Sequence, residues 1–122
     1  MDPNENIAIS TDVLNRLRDE TGDEDGSLIR ELVEVFCVDA EESSVRLTQL
    51  LEAKDGNALS REAHRVKSGA ANMGALRISA LCKEVEQTAG DGDLQTAGQS
   101  VSQLLEEVPR AIAGLRAYLE TL

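Results

Sequence analysis

The sequence predicts an all-α protein, an antiparallel up-down four-helix bundle with a short additional N-terminal helix. Three observations predict it. Apolar residues make up 41% of the chain but aromatics only 2%, so Leu, Val, Ile and Ala must fill the core. That composition suits close-packed helices better than a sheet. The apolar residues also recur at helical spacing in long runs, and the turns between runs are short, which makes successive helices antiparallel neighbours. With 122 residues the chain can build one core and not two.

Residues 1–9, with Pro3 and Asn4 near the start, read as a flexible N-terminal arm, and residues 10–122 as the bundle domain. Ser10 or Thr11 can cap a short helix to about residue 20 that turns Val13, Leu14 and Leu17 inward. A polar turn follows at residues 21–26, with Ser27 as the expected cap of the next helix. Over residues 28–54 the apolar positions Ile29, Leu32, Val33, Phe36, Ala40, Leu47, Leu50 and Leu51 follow helical spacing without a proline. Asp55, Gly56 and Asn57 make a turn and cap before a helix to about residue 73. Gly74 punctuates, and a further helix over residues 75–89 carries Leu76, Ile78, Leu81, Cys82 and Val85. After the turn at residues 90–93, the last helix starts near Leu94 and places Val101, Leu104, Leu105, Val108, Ile112, Leu115 and Leu119 on one side. Pro109 is expected to kink or split it, because proline removes a backbone donor and clashes with the preceding turn.

A net charge of −11 argues against nucleic acid as a partner, since a polyanion would be repelled. Cys37 and Cys82 fall at apolar helical positions, where buried reduced thiols are expected rather than a disulfide. No run is long and apolar enough for membrane insertion, and the N-terminal region lacks the apolar segment of a signal peptide. The expectation is a soluble, cytoplasmic monomer.

The chain has a single histidine, His64. With the third helix regular at about 100° per residue, Leu59, Ala63, Val66, Ala70 and Met73 cluster towards the core. His64 then points about 140° away from that direction and Lys67 about 80° away. A lone histidine is often a satisfied core residue, but this periodicity turns it outward. An incidental surface histidine is the plainer alternative, and the surrounding run weighs against it. Lys67 and Ser68 lie one turn on, followed by Gly69, Ala70 and Ala71. A glycine inside a helix costs roughly 1 kcal/mol against alanine, so a bare patch for the close approach of another backbone would justify it. Arg61, Arg65, Lys67, Arg77 and Lys83 face one acid, Glu62, in an otherwise acidic chain. Such an island suits a phosphoryl group and an acidic partner cleft, against the plainer reading of ordinary solvated charge. If the hairpin turn centres near residue 75, residue 64 lies level with Glu86. A carboxylate there could accept a hydrogen bond from Nδ1–H and so leave the Nε2 lone pair facing outward, although Glu86 could equally be an ordinary surface acid.

These residues resemble the histidine-containing phosphotransfer domain of multistep two-component phosphorelays. The shared pattern is Ala63-His64-Arg65-Val66-Lys67, then small residues leading to Asn72-Met73-Gly74-Ala75. Leu81-Cys82-Lys83-Glu84-Val85-Glu86, Phe36-Cys37-Val38-Asp39-Ala40 and Leu50-Leu51-Glu52-Ala53 fit as well, so the likeness runs from about residue 10 to the C-terminus. Many members have glycine directly after the lysine. Here Ser68 stands in its place, still small enough to leave His64 accessible.

The resemblance implies that His64 accepts a phosphoryl group from a receiver-domain aspartate and passes it to another receiver. Lys67 would stabilise the phosphoryl charge, and Glu86 would orient the ring. Ser68, Gly69 and Ala71 would form the access patch, with Leu47, Leu51, Ser60, Arg61 and Arg65 as candidate docking positions. The chain would be a carrier without catalytic activity of its own. Its partners would be response-regulator receivers and a hybrid sensor histidine kinase in cis or trans. No metal site is expected in this chain, and Mg²⁺ belongs on the receiver. The rival reading is an acidic helical scaffold that never carries phosphate. A Ser-His hydrolase is weaker, because nothing suggests an oxyanion hole or substrate pocket.

Overall fold

The computed structural model describes residues 8–122. Five helices follow in order: α1 (Thr11–Thr21), α2 (Ser27–Glu52), α3 (Gly56–Asn72), α4 (Leu76–Gly90) and α5 (Leu94–Glu120). Each of α2 to α5 packs on the next, and α5 closes the ring against α2, with α1 laid on α2. This is the expected bundle with its extra helix. The expected N-terminal arm falls outside the described residues up to residue 7. Its last residue, Ile9, is buried in the core, so packing starts before the domain boundary drawn from sequence.

Turn chemistry sets the helix starts. Asp55 accepts from the Ala58 amide at 3.1 Å and Asp93 from the Thr96 amide at 3.1 Å, each satisfying a free donor of a helix first turn. Ser27 does not cap α2 as expected. The residue before the helix is Gly26 in the left-handed conformation, and the buried Asp23 carboxylate reaches forward to the amides of Leu28 and Ile29 at 3.2 and 2.9 Å. Arg18 straps this loop by donating to the carbonyls of Asp23 and Glu24. Gly74, at φ 75°, closes the α3–α4 turn, and its carbonyl accepts from the Ser10 amide at 2.8 Å. A Cβ there would lie 2.6 Å from the Ser10 carbonyl, so only glycine lets the start of α1 dock on this turn.

The core is aliphatic, built around Leu14, Ile29, Leu59, Ile78, Leu104 and Leu115. Tyr118 donates to Asn15 Oδ1 at 2.7 Å and ties α1 to the end of α5. Cys37 and Cys82 are buried and unpaired, and burial foremost pushes the Cys82 thiol up to about 12. Among the described residues, no helix is long and apolar enough to cross a membrane.

Pro109 does not split α5, which runs unbroken from Leu94 to Glu120. The proline is exposed, while Val108, Ala111, Ile112 and Leu115 keep one continuous face buried on either side. Packing of that face outweighs the one lost backbone bond. Leu105, assigned to the same face from spacing, is exposed instead.

Candidate functional site

The α3–α4 hairpin has the register expected of a turn near residue 75. His64 on α3 stands opposite Glu86 on α4, with Nδ1 2.9 Å from Glu86 Oε1. The other oxygen, Oε2, accepts from Lys67 Nζ at 2.7 Å. One carboxylate therefore holds both residues. The side chain of His64 is 66% exposed, while those of Lys67 and Glu86 keep 29% and 26% of their surface. The hydrogen bond from Lys67, aided by the one from His64, holds the Glu86 carboxyl below the usual carboxylate range, against the opposing effect of burial. An ionised carboxylate only accepts, so the contact requires the proton on Nδ1, and in the Nδ1–H tautomer Nε2 is the nitrogen left with a lone pair.

Two hydroxyls tie the same helices together. Ser60 Oγ donates to the Glu86 carbonyl at 2.8 Å, and Ser79 Oγ donates to the Lys67 carbonyl at 3.1 Å. Ser60, a candidate docking position from sequence, is half-buried and committed to this contact.

The positive island is largely neutralised. Arg65 donates to Glu62 and to Asp39 on α2, Lys67 is held by Glu86, and Arg77 lies 3.5 Å from the buried Glu107. Arg61 and Lys83 are exposed and make no ion pair among the described residues. Glu62 also accepts from Ser43 at 2.7 Å and from Arg46 at 3.1 Å. Burial pushes its carboxyl up, but the hydrogen bonds from Arg65, Ser43 and Arg46 outweigh it and bring the value to about 2. This network clamps α2 to α3 beside His64.

Ser68 and Ala71 lie within about 40° of His64 around α3, by the helical repeat. Gly69 lies elsewhere, about 140° round the helix. It lines a groove of about 970 Å³ where α1, α2 and the end of α3 meet. A Cβ on Gly69 would touch nothing within 4 Å, so the bundle's own packing does not require glycine here. The groove floor is apolar, with Val13, Leu17, Leu32, Val35, Phe36 and Met73, and Arg16, Glu20, Asp39 and Arg65 add charge. Ala71 borders both the groove and the His64 face. The sequence pattern does not reveal this groove, because helical spacing turns Val13 and Leu17 inward. The structure leaves both only half-buried, since α1 rests mainly on one helix.

Of the docking candidates from sequence, Leu47 fails on burial. It is 3% exposed and belongs to the core, because it lies on the α2 face turned to the neighbouring helices. Leu51 is half-buried and lies beside Gly98 of α5, where an added Cβ would meet its side chain at 3.5 Å, and it does not line the groove. Among the described residues, no group of three or more His, Cys, Asp or Glu could hold a metal ion.

The family model described as Hpt domain matches residues 31–120. Among solved structures, histidine-containing phosphotransfer protein B (HptB) from Pseudomonas aeruginosa PAO1 is similar with a TM-score of 0.84 and 30% identity, over 100% of this chain and 99% of that one. The histidine-containing phosphotransfer protein ZmHP2 from maize is similar in fold, with a TM-score of 0.79 and 20% identity over 93% of this chain and 83% of that one. No curated protein matches.

Proposed function

The chain belongs to the Hpt domain family, which performs histidine phosphotransfer in phosphorelays, and on that premise we propose that His64 is its phosphoryl acceptor. The supporting observation is the exposed ring whose Nδ1 is held by Glu86, leaving Nε2 free to attack. In the transfer, the Nε2 lone pair forms a bond to phosphorus as the P–O bond of a receiver's aspartyl phosphate breaks, and the aspartate leaves as a carboxylate. The ring keeps its Nδ1 proton and gains positive charge, which the Glu86 carboxylate stabilises. Lys67, one turn along and already drawn to this carboxylate, offsets the charge of the phosphoryl oxygens. The reverse reaction hands the group to a second receiver.

Transfer of this kind needs a partner that brings its own acidic pocket and divalent cation, so Mg²⁺ is assigned to the receiver. The receiver docks over the His64 face and the adjoining groove, where Ser68 and Ala71 leave room and Val35 and Leu17 offer apolar surface. Arg61, exposed and unpaired among the described residues, faces the approaching acidic cleft. The chain serves as a carrier without catalytic activity of its own, and a hybrid sensor kinase supplies the donor receiver in cis or trans.

The test is the intact mass of the chain after mixing with a panel of phosphorylated receivers and Mg²⁺, with His64→Gln alongside. Gain of one acid-labile phosphoryl group by the parent and none by the variant is expected. A phosphoryl group on the variant, or none on either with any receiver, would overturn the assignment.

A further inference from the structure

Hydroxyls on the helices of this bundle fall into different groups. Thr21, Ser44, Thr48 and Thr88 bond a carbonyl one turn back on their own helix, at Leu17, Ala40, Ser44 and Glu84. That is the usual habit of Ser and Thr inside a helix. Ser43 and Ser100 instead reach across to carboxylates, those of Glu62 and Glu84. Ser60 and Ser79 alone among these hydroxyls reach a backbone carbonyl of the neighbouring helix, and the two carbonyls belong to Glu86 and Lys67.

We infer that Ser60 and Ser79 are positioning residues for phosphoryl acceptance, setting the α3–α4 register on which the His64–Glu86–Lys67 contacts depend. The inference rests on the reading of His64 as acceptor. Both site contacts cross between the two helices, at 2.9 and 2.7 Å, and neither survives a slip of one residue, which is 1.5 Å of rise and 100° of rotation. The two hydroxyls bracket the site. Ser60 lies one turn before His64 on α3, and Ser79 two turns before Glu86 on α4. Each acts on the backbone that carries a site side chain, and each uses a carbonyl lone pair left over by helical bonding. The close approach has steric support, since a Cβ on Gly56 would lie 2.8 Å from the Ala89 carbonyl.

The experiment uses Ser60→Ala, Ser79→Ala, the double variant and Ser60→Thr, at a temperature where circular dichroism shows all of them folded. Nitrogen NMR of the single imidazole reads the fraction of neutral ring with its proton on Nδ1. Phosphoramidate, which transfers its phosphoryl group to a free imidazole nitrogen with loss of ammonia, reads acceptance without a receiver. The double alanine variant is expected to lose the Nδ1–H preference and to accept phosphoryl about tenfold more slowly, with the threonine variant restored towards the parent. An unchanged tautomer ratio in the double variant would overturn the inference whatever the phosphorylation rates. A shifted ratio with no phosphorylation of the parent would uphold the positioning role and sink the acceptor assignment instead, so the two fail separately.

Discussion

Glu86 fixes the ring of His64 from an adjacent helix, across 2.9 Å, while two-thirds of the histidine side chain stays in solvent. Orientation and exposure usually oppose each other, because a side chain held on several sides is also buried. Here a single partner on the flank does the holding. The carboxylate is itself held by Lys67 at 2.7 Å, so the group that orients the ring has a second anchor.

Replacing His64 by Gln should abolish phosphoryl uptake and leave stability within about 0.5 kcal/mol, since the side chain is exposed and packs into no core. Urea unfolding of parent and variant checks the second half. A large loss of stability would mean that the histidine supports the bundle.

Glu86→Ala removes the acceptor for Nδ1–H and should slow single-turnover phosphorylation by about tenfold or more. Glu86→Gln keeps an oxygen acceptor but loses the charge that stabilises the ring, so its rate should fall between the two. Equal rates for all three would show that ring orientation does not limit transfer.

The Glu62 network predicts a pH dependence of stability. Its carboxyl has a native value of about 2 against an ordinary 4.5, so the ionised form favours the fold above pH 4.5. That contribution is lost as pH falls from 4.5 towards 2. Urea midpoints of the parent should therefore drop more steeply across this window than those of Glu62→Gln. Parallel slopes would contradict the assigned role of Arg65, Ser43 and Arg46.

Leu47 and Val35 separate core from docking surface. Leu47→Ala should cost about 2–5 kcal/mol of stability while the folded fraction still binds a receiver normally. Val35→Asp, at a position 64% exposed in the groove, should leave stability nearly unchanged and weaken receiver binding. Titration of each variant against a receiver, with melting curves, distinguishes them.

Much of this was legible in the sequence, for identifiable reasons. The placement of Glu86 opposite His64 follows from one turn position and the antiparallel rule, because a short hairpin leaves register no freedom. Leu47 is ambiguous in the sequence because its apolar character fits core and docking face equally, and only the azimuth of α2 within the ring decides. Capping rules point to Ser27 because they look next to the helix start, whereas Asp23 reaches forward five and six residues from a loop tied by Arg18. The groove was invisible because it depends on where α1 comes to rest, and that is set by Gly74 and Ser10, distant in sequence.

Pro109 is the clearest case of packing overriding local preference. Because it is exposed in an unbroken helix, Pro109→Ala should restore a backbone bond and stabilise the protein by about 1–3 kcal/mol, seen as a higher melting temperature. A lower melting temperature would mean that the proline shapes a bend the packing needs.

The proposed acceptor atom is Nε2 of His64, not Nδ1. Its most direct test is phosphorus–nitrogen coupling in the phosphorylated chain, with heavy nitrogen in its single histidine. Coupling to Nε2, with Nδ1 still protonated, is the predicted result. Coupling to Nδ1, or phosphorus attached to no imidazole nitrogen, would contradict it.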